Sequence, residues 1–245
     1  MENNSPKIIL VLIGIATFSN NALATDNVSS PYIEQGKLSL QYRSGYDFDN
    51  APSKDRKQAY KLVANYGTTD RLRPEIKAVL SDNPNESTKV TGFEAGLRWQ
   101  FLKPEEAWLT AALDGNYKTS IQSGKPDKFE LKLILGKKFG QFFNVANLSV
   151  EEEIGENSRD GASLKAAWKT GYKINSYFAP GFEFYANTGN LRDDLDYNDQ
   201  SYRIGPTAYG NITENVTYNI GYLFGISEAA TDGRVKMILS YVKRL

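Results

Sequence analysis

The chain has 245 residues, 24% of them charged and 12% aromatic, and its 29 bases balance its 29 acids. It holds neither cysteine nor histidine, and its mean hydropathy is −0.48. These values exclude a helical membrane bundle, which needs about 20 consecutive apolar residues per span. They also exclude disulfide scaffolds, thiolate metal centres and histidine-based catalysis, and they give no general attraction to nucleic acid.

The first 24 residues read as a secretory signal peptide. Lys7 supplies charge, Ile8 to Ala16 form a short apolar core, and Ala22-Leu23-Ala24 is a small-x-small cleavage pattern. The mature chain is then expected to start at Thr25, so that residues 25–245 form one outer-membrane domain.

From there the hydrophobic pattern has period two, the period of a strand with two unlike faces. Leu38, Leu40 and Tyr42 alternate with Lys37, Gln41 and Arg43; Leu62 and Ala64 with Lys61 and Asn65; Ile76 and Ala78 with Arg73, Glu75 and Lys77. Phe93, Leu97 and Trp99 oppose Glu94, Arg98 and Gln100; Leu113 and Tyr117 oppose Asp114 and Asn116; Leu131 and Leu133 oppose Lys128, Glu130 and Lys132. The second half continues with Leu148 and Val150 against Glu151, Leu164 and Trp168 against Lys165, Lys169 and Lys173, and Phe182 and Phe184 against Glu183. Ile204 and Ala208 then face away from Arg203, Ile220 and Tyr222 from Asn219, and Met237 and Leu239 from Lys236. The total is about 12 segments, an even number, as closed bacterial barrels prefer.

Connections alternate in length. Long ones are expected near Ser44–Asp55, Asp82–Lys89, Thr119–Asp127, Glu152–Asp160, Asn190–Asp199 and Ser227–Arg234, with tight turns between them. Long loops outside and short turns in the periplasm is the outer-membrane layout. Aromatic residues near segment ends (Tyr42, Tyr66, Trp99, Phe101, Tyr117, Trp168, Tyr172) suit interface girdles. The fold expected is therefore all-β, a closed antiparallel transmembrane barrel of about 12 strands. A soluble barrel would invert the two faces.

With the polar face inward, the candidate pore lining is Lys37, Arg43, Arg73, Lys77, Arg98, Lys132, Lys165, Lys169, Lys173, Arg203 and Lys236, joined by Lys61 and Lys128. Six acids share that face: Glu75, Glu94, Asp114, Glu130, Glu151 and Glu183. Compensating acid falls in the long loops, including Asp47, Asp49, Glu152, Glu153 and Asp193 to Asp199. A basic passage with an acidic mouth favours anions. Interlocking ion pairs that fill the lumen are the alternative reading of the same residues.

No catalytic, cofactor or metal residue is expected. Asp194, Asp196 and Asn198 match the start of a calcium loop, but Asp199 stands where glycine is required and Gly205 where glutamate is. No GxSxG elbow occurs, and Asp114, Glu130 and Glu151 read as lumen ion pairs rather than an acid–base set. Asn211-Ile212-Thr213 and Asn215-Val216-Thr217 read as barrel turn rather than glycosylation acceptor.

Two resemblances follow. The stretch GYLFGISEAATDGRVKMILSYVKRL, Gly221 to Leu245, with EFYANTGNL from Glu183, resembles an uncharacterised group of proteobacterial outer-membrane barrels, similar to those linked to phenol meta-pathway degradation and copper resistance. LSLQYRSGYDF, Leu38 to Phe48, and KDRK, Lys54 to Lys57, resemble the monomeric 12-stranded porins for acidic oligosaccharides. The second resemblance implies basic walls and passive passage of anionic sugars; neither supplies a defined site residue.

The function expected is a passive channel for small hydrophilic, anionic solutes. The alternatives are a non-conducting barrel acting through its acidic loops, in adhesion or envelope stability, and transport of a small aromatic compound. The expected partners are outer-membrane lipid and lipopolysaccharide, the barrel-assembly machinery at the last strand, and small solutes.

Overall fold

A computed structural model describes residues 25–82 and 88–245. The expected leader lies outside the described residues. The chain forms twelve antiparallel strands: β1 (Lys37–Phe48), β2 (Gln58–Tyr66), β3 (Leu72–Asp82), β4 (Lys89–Leu102), β5 (Thr110–Ser120), β6 (Asp127–Phe139), β7 (Phe142–Ile154), β8 (Ala162–Tyr172), β9 (Ala179–Asn190), β10 (Ser201–Asn211), β11 (Val216–Gly225) and β12 (Gly233–Arg244). Each pairs with its sequence neighbours, and β1 pairs with β12, so the sheet closes. Closure removes the unpaired edges that a membrane would not tolerate. Strands of 9 to 14 residues match the ~9–11 residues needed for a tilted crossing.

The two faces follow the alternation. Leu40, Leu62, Ile76, Leu97, Leu131, Leu148 and Ile220 point outward and are exposed, whereas Arg98, Asp114, Asn116, Glu183 and Lys236 point inward and are buried. Apolar outside and polar inside is the arrangement of a transmembrane barrel, the inverse of a soluble one. Outward aromatics gather at both ends of the strands. At the end carrying the chain's C-terminus, hereafter the turn end, Trp99 packs on Phe101, and Phe142 on both Phe139 and Tyr172. At the opposite, loop end, Tyr222 packs on Phe48 and Phe224. Tyr42, expected in a girdle, instead sits mid-strand and stacks on Tyr60.

The strands run further into the loop end than the alternation suggested. β1 reaches Phe48 and β7 reaches Ile154. Connections 103–109 and 173–178 at the turn end are as long as several at the loop end, so the contrast in length is weaker than expected. The longest loop, 191–200, holds two 3-10 turns, Leu191–Asp193 and Tyr197–Asp199.

Residues 25–36 do not belong to the wall. They thread through the lumen from the loop end to the turn end. Asp26 lies beside Arg234 and Arg203, the first inward bases after the two last loops. Ser29 and Asn147 exchange two hydrogen bonds, from the Ser29 amide to Asn147 Oδ1 at 2.7 Å and from Asn147 Nδ2 to the Ser29 carbonyl at 3.0 Å. The Ile33 amide donates to Gln100 Oε1 at 2.8 Å. Gly36, with φ +75°, then turns the chain out of the lumen; its amide bonds the Gly67 carbonyl and its carbonyl accepts from Leu245. A left-handed residue without Cβ suits this corner.

Candidate functional site: the barrel lumen

An eight-stranded barrel can fill itself with side chains, but a wider one cannot. Here the threaded segment supplies the missing volume. Val28 is 2% exposed and sits in an apolar collar of Ala112, Ile134, Val145, Tyr185 and Leu223. That collar corrects the expectation of a wholly polar inner face: the inward positions of β5, β6, β7, β9 and β11 turn apolar where the segment packs. Burying a valine in this way contributes about 2 kcal/mol. Pro31 lies against Gly136, where a Cβ would meet its ring at 2.6 Å, and Lys138 lies 4.3 Å over the Tyr32 ring.

The inward charges form distinct groups. On β2 to β4, Lys61 and Lys77 hold Glu94 at 2.5 and 3.0 Å, and Lys77 holds Glu75 at 3.0 Å. On β5 to β8, Lys118 and Lys132 hold Glu130 at 2.6 and 2.7 Å, while Lys165 lies 2.7 Å and Lys128 3.5 Å from Glu151. Arg98 pairs with Asp114. Lys236 pairs with Glu183, which also accepts from Tyr185, Tyr209 and Asn219. At the loop end Arg234 bridges Asp47 at 2.5 Å and Asp26 at 2.9 Å, and Arg203 lies 3.9 Å from Asp26. Lys37 pairs with Glu34 at the turn end, and that hydrogen bond holds the Glu34 carboxyl below its ordinary range.

Much of the expected charge ladder is therefore neutralised. Lys37, Lys77, Lys132, Lys165, Arg203, Lys236 and Arg98 each have a carboxylate partner. Arg73 is loosely placed, 3.8 Å from a Glu75 that Lys77 already holds. Arg43, Lys169 and Lys173 have no carboxylate within 4 Å among the described residues. Arg43 donates twice to Gln41 Oε1, and Lys169 donates to the Val28 carbonyl at 2.9 Å. Asp47, expected in a loop, is an inward residue of β1 and 1% exposed. Glu152 and Glu153, also expected in a loop, belong to β7, and Glu153 lies 3.5 Å from Lys128.

Between the threaded segment and the β1, β3, β8 and β10–β12 walls, at the turn end, is a cavity of about 410 Å³. Arg43, Arg73, Arg98, Lys169 and Lys173 line it, and among the described residues no aspartate or glutamate does.

Sequence reading missed Lys118, Arg234 and the whole threaded segment. Lys118 continues the alternation of Asp114 and Asn116, and Arg234 that of Lys236, so strict period two would have found both. Residues 25–36 have no period, and nothing local marks their destination. The acidic loop assembles no metal cage: among the described residues no group of three or more potential ligands gathers, and Asp193 lies 3.8 Å from Arg159. Asp114, Glu130 and Glu151 stand in ion pairs, as their alternation with bases implied.

No protein-family model matches the sequence, and no curated protein matches it. Solved structures share the fold. An outer membrane channel from Pseudomonas putida F1 is 12% identical with a TM-score of 0.64, over 90% of this chain and 100% of that one. The KdgM porin is 10% identical with a TM-score of 0.57, over 83% and 98%. The NanC porin is 11% identical with a TM-score of 0.57, over 83% and 99%. The chain therefore has the architecture of 12-stranded outer-membrane barrels.

Proposed function

We propose that the protein is a porin-like channel of a bacterial outer membrane, passing small hydrophilic solutes with a preference for anions. The reading rests above all on the inside-out closed barrel whose inner wall carries bases that no acid matches. Arg43 and Lys169 on the wall, with Lys173 at its rim, supply that excess, and rings of bases lower the barrier for anions. The solved neighbours are channels and porins, which agrees with this reading. Residues 1–24 would direct export, the apolar band would sit in lipid, and the long loops would face outward. The threaded segment narrows the passage, so conductance should be small.

The chain from Thr25, refolded in detergent and inserted in a planar bilayer under a salt gradient, is expected to give small discrete current steps. The reversal potential should be that of an anion-selective pore. The apolar collar around Val28 favours a second reading, a closed barrel acting through its acidic loops. A silent bilayer from a barrel that migrates heat-modifiably would establish it in place of the first.

A further inference from the structure

The inward charges are unevenly matched. Around β5 to β8 Glu130 is shared between Lys118 and Lys132, and Glu151 between Lys118 and Lys165. The turn-end cavity is different: among the described residues five bases line it and no acid does. Arg43 is only 9% exposed, and among the described residues its guanidinium donates only to the neutral Gln41 amide. Lys169 has a backbone carbonyl and the face of Tyr209 at 5.8 Å. Arg73 Nε is buried without a hydrogen-bond partner among the described residues. Arg98 spends one Nη on Asp114 and the other on the Ser30 carbonyl at 2.7 Å. Arg43 and Lys169 are withdrawn from water with no carboxylate within 4 Å among the described residues, which is costly, and the five bases gathered round one small cavity also repel one another.

We infer that this cavity is a binding site for a small multivalent oxyanion, a polycarboxylate or a phosphate ester, entering from the turn end. Such a ligand supplies the missing negative charge and accepts charge-assisted hydrogen bonds from guanidinium forks. Lys173 stands at the rim and Arg43 and Lys169 lie deeper, so attraction increases along the way in. About 410 Å³ suits a metabolite-sized solute. The inference deepens the channel reading by naming its solute class.

Isothermal titration of the refolded chain at low ionic strength tests it, with citrate and glycerol 3-phosphate as probes and glucose as the neutral control. Binding of at least one anion is expected, with no heat from glucose, and whichever anion binds identifies carboxylate or phosphate. Arg43→Gln with Lys169→Gln should weaken that binding at least about tenfold, and Lys125→Gln, on the exposed loop between β5 and β6, should leave it unchanged. Neither Arg43 nor Lys169 has a carboxylate partner to orphan, so the double variant should still fold, as heat-modifiable migration would show. Should it not, Lys173→Gln at the exposed rim must weaken binding about threefold. Absence of heat from both anions, or affinity indifferent to these substitutions, overturns the site. Bilayer current in chloride alone separates the two readings: current without anion binding removes the site and keeps the channel, and anion binding with a silent bilayer does the reverse.

Discussion

Arg234 shows how charge is tolerated inside this barrel. It is 2% exposed, and its guanidinium spans Asp47 on β1 and Asp26 on the threaded segment. Removing one partner of a buried pair leaves an uncompensated charge, which costs ~3–5 kcal/mol. Asp47→Ala should therefore lower the urea unfolding free energy by about 3 kcal/mol, with Asp26 limiting the loss. Replacing both Asp47 and Arg234 by leucine should recover most of it. Lys165 and Lys169 make a second contrast, two inward bases four residues apart on one strand. Lys165 is bound to Glu151, whereas Lys169 lines the cavity without an acid. Lys169→Glu should shift the reversal potential toward cations, and Lys165→Glu should shift it less while destabilising the barrel by placing a carboxylate against Glu151. The sequence placed both on the inner face but could not distinguish them, because partnership depends on the neighbouring strand's register.

At the scale of elements, every strand was legible from period two, since a strand between lipid and a polar lumen must alternate. Strand ends were less legible. β1 and β7 extend past their expected limits because Asp47 and Glu153 find bases directly opposite on the neighbouring strand, and an acid near a loop looks the same whether it faces water or an arginine. The threaded segment was invisible for a related reason. Its fit is written in distant wall positions such as Gly136, the inward glycine of β6 that leaves room for Pro31. Gly136→Leu would overfill that contact, a change that costs ~1–3 kcal/mol in packed interiors. The variant should keep heat-modifiable migration, since the strand is not otherwise disturbed, and proteolysis should cleave the loosened segment between Asp26 and Gln35 faster than in the parent.

At the scale of the molecule, the lumen is divided between ion pairs, the segment and the basic cavity at the turn end. Deleting residues 25–33 removes Val28 from its collar and the backbone carbonyls from Arg98 and Lys169. Single-channel conductance should rise several-fold and anion selectivity should strengthen, as Lys169 is freed and Asp26 is lost; unchanged conductance would mean that the passage does not run past the segment.

The amino-acid sequence by itself determined the closed, inside-out barrel, the number of its strands and most of the residues that face inward. Those properties follow from an alternation local to each strand and from the demand that every backbone group in a membrane be paired. Only the tertiary structure decided which inward bases are neutralised, that residues 25–36 occupy the lumen, and that five bases share one cavity without an acid. Such properties belong to groups that meet across the barrel, as Arg234 meets Asp26 from the far end of the chain. Register and closure bring them together, and neither is encoded in any short stretch of residues.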